Sequence, residues 1–275
     1  MGAPLKLGLI GDNIAASRAP LLHRRAGEQA GRAVTYDRLV PRETALEFET
    51  LFEKCAQDGY RGINVTYPYK ERAARLVRIE DPLVQAIGAV NTVLFDGADP
   101  LGFNTDHSGF IAAYRAARGD AAPGACTLIG TGGVGRALAF ALVALGASEI
   151  RLVDRDAAKA EALAAGLRAS DGAPGVTVLK DAGAAAMGAS GLLNATPVGM
   201  VGHDGTPLAP GAMADADWAF DAVYTPVETA FLKDAAAAGL ATISGYELFI
   251  HQGLHAWAHF DGSPVDEAML RQALA

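Results

Sequence analysis

Cysteine is nearly absent: Cys55 and Cys126 are the only two in 275 residues. They stand far apart and fit no ligand spacing, which argues against a disulfide-stapled scaffold or a thiolate metal centre and leaves two small residues suited to a core. Basic charge is scarce as well. Lys and Arg number 23 against 31 Asp and Glu, a net charge of −8, and no basic run or aromatic-interleaved basic patch occurs, so a nucleic-acid partner is disfavoured. Long apolar runs are also missing. Stretches such as "ALAFALVALGA" fall short of the roughly 20 residues a membrane span needs. The opening "MGAPLKLGLIGD" lacks a charged segment followed by a long apolar one, and its sixth residue is Lys rather than Ser or Thr. Neither a signal peptide nor N-myristoylation is expected, which leaves a cytoplasmic protein with no membrane partner.

What the chain does have is 51% hydrophobic residues, enough for one large core or two smaller ones. Apolar β-rich runs alternate with helical patterns, the mark of an α/β fold with parallel sheets. The first part reads as strand "LKLGLI", helix "PLLHRRAGEQA", strand "VTYDRLV", one helix "ETALEFETLFEKCAQ" and strand "GINVTY". A helix from about Tyr69, the segment "LVQAIGA" and a hairpin "NTVLFDGADPLGFN" follow, then a helix from Ser108, "SGFIAAYRAAR". The turn-rich "GDAAPGA" leads into a second unit with strands "CTLIG", "EIRLVD", "VTVLK", "GLLNAT", "WAFDAV" and "ATIS" and helices between them. Two helices, "YELFIHQGLHAWAHF" and "DEAMLRQAL", end the chain.

The strongest local signal is "LIGTGGVGRALAF", where Gly130, Gly132 and Gly135 follow a strand and open a helix. In such a loop the first glycine permits the tight turn, the second lets backbone approach a pyrophosphate, and the third allows close helix–strand packing. The helix N-terminus supplies N–H groups for the phosphates. Asp154 ends the next strand, where a carboxylate binds a ribose 2′-hydroxyl. It favours NAD over NADP, while the neighbouring Arg155 leaves NADP open.

Further motifs fall in order along nearly the whole chain: "NVTYPYK", "GAVNTV", "FNTD", "NATPVGM" and "HQG". Together with the cofactor loop they resemble the shikimate/quinate dehydrogenase family. The resemblance implies two lobes: an N-terminal α/β substrate domain, residues 1–107 completed by 246–275, and a Rossmann dinucleotide-binding domain, residues 108–245, with closing C-terminal helices. It implies an alcohol oxidoreductase acting on a ring carbon of a hydroxylated alicyclic carboxylate, as monomer or homodimer, in aromatic amino-acid biosynthesis or in catabolism. By the match, Lys70 and Asp106 are the catalytic pair. Ser17, Asn64, Thr66, Asn91, Tyr224 and Gln252 hold the substrate's hydroxyls and carboxylate. Gly130, Gly132, Gly133, Val134, Gly135, Asp154, Arg155, Thr196, Val223 and Gly245 contact the cofactor. One position departs from the pattern: the family's opening motif commonly reads Ser-x-Ser-Pro, and here Ala19 stands where the second hydroxyl should be. Losing a hydrogen bond to a charged group costs about 1.5–3 kcal/mol, so Ala19 leaves shikimate, quinate or a related cyclic acid open as substrate.

Hydride transfer from a secondary alcohol also requires a proton acceptor within hydrogen-bond reach. Lys70 is assigned that part, with Asp106 orienting it; such a pair titrates as a unit, so which member takes the proton stays open. Taken singly, these residues have plainer readings. Lys70 could be a solvated charge at a helix start. Asp106, before "HSGFIAAY", suits a helix N-cap. Asn64, Thr66 and Asn91 could serve strand-end backbone groups. Their joint occurrence with the dinucleotide loop favours chemistry. His251, His255 and His259 form a helical stripe at i, i+4, i+8 with no partnering carboxylate or cysteine, and are read as a surface or packing feature with no metal. Two rivals remain: a lysine-based dehydrogenase of the methylenetetrahydrofolate type, and a cofactor-binding paralogue without turnover.

Overall fold

The computed structural model describes residues 4–97, 99–170 and 172–274. Ala98 of the expected hairpin and Met1–Ala3 of the opening stretch lie outside them. The chain divides into two compact units, Met1–Thr105 with Gln252–Ala275, and Asp106–His251.

The first unit starts with β1 (Leu5–Ile10), α1 (Ala19–Gln29), β2 (Val34–Leu39), α2 (Pro41–Thr44), α3 (Phe48–Gln57) and β3 (Gly62–Val65). It continues with α4 (Lys70–Ala73), α5 (Pro82–Ile87), β4 (Thr92–Leu94) and β5 (Leu101–Phe103). The strands form one sheet in the order β2-β1-β3-β4-β5. β1 runs parallel to β2 and β3, whereas β4 is antiparallel to β3 and to β5. Reversal at β4 has a consequence for chemistry: residues that precede β4 sit on the same sheet edge as residues that follow β1 and β3. All of β3 is buried, which suits its near-continuous apolar run between covering layers. Phe48, Leu51, Phe52 and Cys55 recur at i, i+3, i+4, i+7 and bury one face of α3 into a core with Ile63, Val65 and Tyr69.

Two helix readings change. The segment expected as one helix from Glu43 to Gln57 is two, because Ala45 takes a left-handed φ of 54°. The buried stripe begins only at Phe48, while Pro41 starts its own turn ahead of it. The helix expected from Ser108 begins at Thr105, so Asp106 lies within its first turn and is not its N-cap. Here the cap comes from a distant residue: the Asn91 side-chain oxygen accepts from Thr105 N at 2.8 Å.

That helix, α6 (Thr105–Arg118), is followed by β6 (Ala125–Ile129), α7 (Gly133–Ala144), β7 (Glu149–Val153), α8 (Ala157–Arg168) and β8 (Gly175–Leu179). Next come α9 (Ala182–Ala186), β9 (Gly191–Asn194), β10 (Trp218–Asp221), α10 (Ala230–Ala237) and β11 (Ala241–Ile243). Their order, β11-β10-β9-β6-β7-β8, is all parallel. It is the doubly wound dinucleotide-binding arrangement, with the reversal of strand order between β6 and β9. Ala137 to Leu142 of α7 are all buried, as expected for a helix apolar around its circumference.

The chain ends with α11 (Gly245–Phe260) and α12 (Glu267–Leu274). Within the first unit, a Cβ on Gly253 would lie 2.5 Å from Leu22 of α1, so the glycine of "HQG" lets the two helices approach closely. His259 stacks on Phe103 with ring centroids 3.8 Å apart, and burial, helped by nearby His255, lowers its pKa. Among the described residues no group of three or more His, Cys, Asp or Glu could hold a metal ion, and no helix is long and apolar enough to cross a membrane. Both cysteines are buried, and burial pushes the Cys55 thiol up to about 12.

Candidate active site

Lys70 opens the single turn of α4, five residues beyond the end of β3, and is only 8% exposed. Its backbone oxygen accepts from Val90 N at 2.9 Å, tying the turn to the segment that enters β4. Lysines are almost never so buried unless partnered, so this one is not a solvated helix-start charge. Asp106 is 5% exposed.

Asn64 and Asn91 meet directly. Asn64 Nδ2 donates to the Asn91 backbone oxygen at 3.3 Å and to Thr92 Oγ1 at 3.2 Å. Thr92 Oγ1 donates in turn to Asn91 Oδ1 at 3.1 Å, and Asn91 Nδ2 donates to Thr105 Oγ1 at 3.0 Å. This cluster exists because antiparallel β4 starts where β3 ends. Thr66 follows on that edge, its N–H donating to Ile10 O at 2.9 Å. Ser17 lies beyond β1, half-buried, with Oγ accepting from Ala19 N at 3.3 Å and its carbonyl held by Arg38 at 2.8 Å. Gln252 is half-buried in α11. Tyr224 belongs to the second unit, stacked on Phe249 at 5.0 Å. Thr92 and Thr105 complete this hydrogen-bonded cluster and were left unassigned from sequence, although both stand inside quoted motifs.

In the second unit the glycine loop fits a dinucleotide. Gly130 takes a φ of 100°, which favours glycine. A Cβ on Gly135 would sit 2.0 Å from the Gly130 oxygen, whereas one on Gly132 would meet no protein atom within 4 Å. Gly132 caps α7 without a side-chain bond, which leaves N–H groups at the helix start for phosphate. Gly133 and Val134 form the first turn of α7. Asp154 Oδ2 accepts from Thr131 N and Oγ1, both at 2.7 Å, and Oδ1 accepts from Asp156 N at 2.9 Å. A carboxylate offers about four acceptor positions, so one remains for a ribose hydroxyl. Burial works against ionisation here, but the N–H of Asp156 and the donors of Thr131 prevail and hold the carboxyl below its ordinary value. Arg155 follows on the exposed surface.

Thr196, Val223 and Gly245 follow β9, β10 and β11, at the same sheet edge as Gly130. Buried Asp221 ties two of these loops together. It accepts from Asn194 Nδ2 at 2.9 Å, Val223 N at 2.9 Å and Thr229 Oγ1 at 2.6 Å, while Asn194 Oδ1 accepts from Thr196 N and Oγ1. Gly245 packs against this segment, since a Cβ there would lie 2.6 Å from the Ala222 and Val223 oxygens. Burial raises the Asp221 carboxyl from 3.8 to about 6 against the pull of its three donors. The folded state therefore holds this proton more tightly than the unfolded chain does. Its contribution to stability is complete below pH 3.8 and is lost as pH rises through about 6. Urea unfolding followed from pH 4 to 7 is expected to show that decline in the wild type and a flatter profile in Asp221→Asn.

The strand order, its point of reversal and the glycine loop together define a dinucleotide-binding α/β protein. Residues 9–93 match the family described as shikimate dehydrogenase substrate binding domain. The quinate/shikimate dehydrogenase (NAD(+)) of Corynebacterium efficiens is 36% identical over 271 residues, covering 96% of this chain and 95% of the relative. Among solved structures, quinate dehydrogenase from Corynebacterium glutamicum in complex with NAD superposes with a TM-score of 0.89 at 34% identity, covering 98% of each chain. Shikimate 5-dehydrogenase from Thermus thermophilus, in complex with NADP(H) and shikimate, gives 0.85 at 32% identity and the same coverage. The chain belongs to the shikimate/quinate dehydrogenase family.

Proposed function

We propose that this protein is an NAD-dependent oxidoreductase that interconverts shikimate or quinate and the corresponding 3-dehydro ketone. One observation carries the reading. A lysine, the residue type most costly to take out of water, is kept buried one turn beyond a strand end at which Asn64, Thr66 and Asn91 gather.

When bound, the nicotinamide supplies the hydride chemistry, accepting a hydride from the carbon that carries the hydroxyl. The protein supplies the rest. Lys70 takes the hydroxyl proton during oxidation and returns it during reduction, and Asp106 orients the amine. Asn91 donates to the reacting hydroxyl, while Ser17, Thr66, Tyr224 and Gln252 hold the remaining hydroxyls and the carboxylate. Gly130 to Gly135 and the start of α7 receive the diphosphate. Asp154 accepts from the adenosine ribose, a placement that disfavours a 2′-phosphate and selects NAD, and Arg155, Thr196, Val223 and Gly245 line the remainder of the cofactor site. All the substrate residues but Tyr224 belong to residues 1–107 with 246–275, and the cofactor residues belong to residues 108–245. The enzyme acts in the cytoplasm, as monomer or homodimer.

A steady-state panel of shikimate and quinate with NAD and NADP tests the proposal. Oxidation of at least one acid is expected, with NAD preferred over NADP by at least about tenfold in kcat/KM, the scale of one unfavourable charge contact. A protein that binds NAD yet reduces none with either acid would be a cofactor-binding paralogue, and the proposal would fall.

A further inference from the structure

The Asn64 amide is held by protein through both its oxygen and its nitrogen. Its oxygen accepts from the Tyr36 hydroxyl at 2.9 Å. The imidazole of His23, 1% exposed, packs against that tyrosine. Both Nδ2 hydrogens are used by Asn91 O and Thr92 Oγ1. An amide offers two donors and two acceptor positions, and both donors and one acceptor position are committed to protein. His23 and Tyr36 stack face to face, centroids 5.1 Å apart and 8° from parallel, with Phe260 edge-on to His23 at 5.5 Å. Burial lowers His23 to about 3, so the ring stays neutral throughout the working pH range.

Asn91 is differently placed. Its oxygen accepts from Thr105 N and Thr92 Oγ1, and one Nδ2 hydrogen goes to Thr105 Oγ1. Its second Nδ2 hydrogen makes no hydrogen bond to protein among the described residues. Thr105 holds the Asn91 oxygen directly, and Asn64 adds to that hold twice, through the Asn91 backbone oxygen and through Thr92 Oγ1, which reaches both Asn91 Oδ1 and Thr105 Oγ1.

The geometry points to Tyr36 and His23 as positioning residues: they lock the Asn64 amide, and through Thr92 they aim the one uncommitted N–H of Asn91 at the reacting hydroxyl. The inference rests on the oxidoreductase reading for its kinetic consequence but not for the relay itself, so the two are tested separately.

Tyr36→Phe removes one oxygen and leaves the stacked ring. With the acid and cofactor that the wild type turns over best, kcat is expected to fall about tenfold, the effect of one lost hydrogen bond at the upper end of its range, with KM within about twofold. In an Asn91→Ala background, or Asn91→Ser should the alanine variant not fold, the same change is expected to cost less than about twofold, because the group it acts through is gone. Tyr60→Phe is the control. It removes a phenol bonded to Asp37 at 2.7 Å, and should lower Tm without changing kcat or KM. Side-chain amide exchange in 15N-labelled protein reads the relay without turnover: the Asn91 Nδ2 protons should exchange faster in Tyr36→Phe and at the wild-type rate in Tyr60→Phe. Unchanged Asn91 exchange in Tyr36→Phe, or a loss of kcat that adds fully to that of Asn91→Ala, would overturn the relay.

Discussion

In the Lys70→Ala variant, kcat is expected to fall about a thousandfold while KM for the acid moves less than about threefold, the range for loss of a positioned proton-transfer group. The size follows from chemistry that no neighbour can replace. Asn64, Thr66 and Asn91 share the sheet edge with Lys70, but amides and a hydroxyl orient a proton without accepting it from an alcohol near neutral pH. Because Lys70 is buried, alanine also deletes packed methylenes, and a fall in Tm could be mistaken for the cause. Lys70→Met keeps an unbranched stem of similar length. It should lose as much kcat as alanine and retain more of the wild-type Tm. Both variants should bind NAD normally by fluorescence titration. Near-normal turnover in either one would remove Lys70 from the chemistry.

The second large effect separates cofactor affinity from folding. Gly132 has an ordinary extended backbone, φ −73° and ψ −168°, and no protein atom lies within 4 Å of where its Cβ would be. Gly132→Ala should therefore fold with Tm unchanged. Yet NAD affinity measured by calorimetry should drop about a hundredfold, because the methyl stands where a pyrophosphate meets the backbone. Gly135→Ala should behave differently. Its methyl would press on the Gly130 oxygen from 2.0 Å, an overpacking of helix against turn that costs about 3 kcal/mol of stability. Wild-type NAD affinity in Gly132→Ala would mean that this turn does not cradle the cofactor.

The contrast between these glycines shows why the cofactor loop could be read from sequence. Each role is met by residues a few positions apart, so spacing alone carries it, and Asp154 is reached simply by following the chain to the end of the next strand. The parallel α/β plan was equally legible in the alternation of apolar runs and helical patterns. The polar cluster was not. Asn91 reaches Asn64 through the antiparallel register of β3 and β4, and it caps α6 from 14 residues away, so a local reading started that helix three residues late. Tyr36 and His23 were passed over for a similar reason: in sequence they are an edge-strand tyrosine and a helical histidine, and only folding stacks one on the other beside Asn64. The split at Ala45 was hidden because alanine gives no warning of a left-handed turn.

The first unit is assembled from both ends of the chain, and this constrains how the protein comes into being. Synthesis proceeds from the N-terminus, and domains generally fold as units as they emerge. The second unit is one uninterrupted stretch and can finish while its neighbour still waits for Gly253, Trp257 and Phe260. Until those residues leave the ribosome, Leu22 and the His23 ring lack the helix that covers them. A nascent or C-terminally clipped chain would therefore present a ready nucleotide-binding half beside a sticky, half-built partner, the kind of species that chaperones hold and proteases remove.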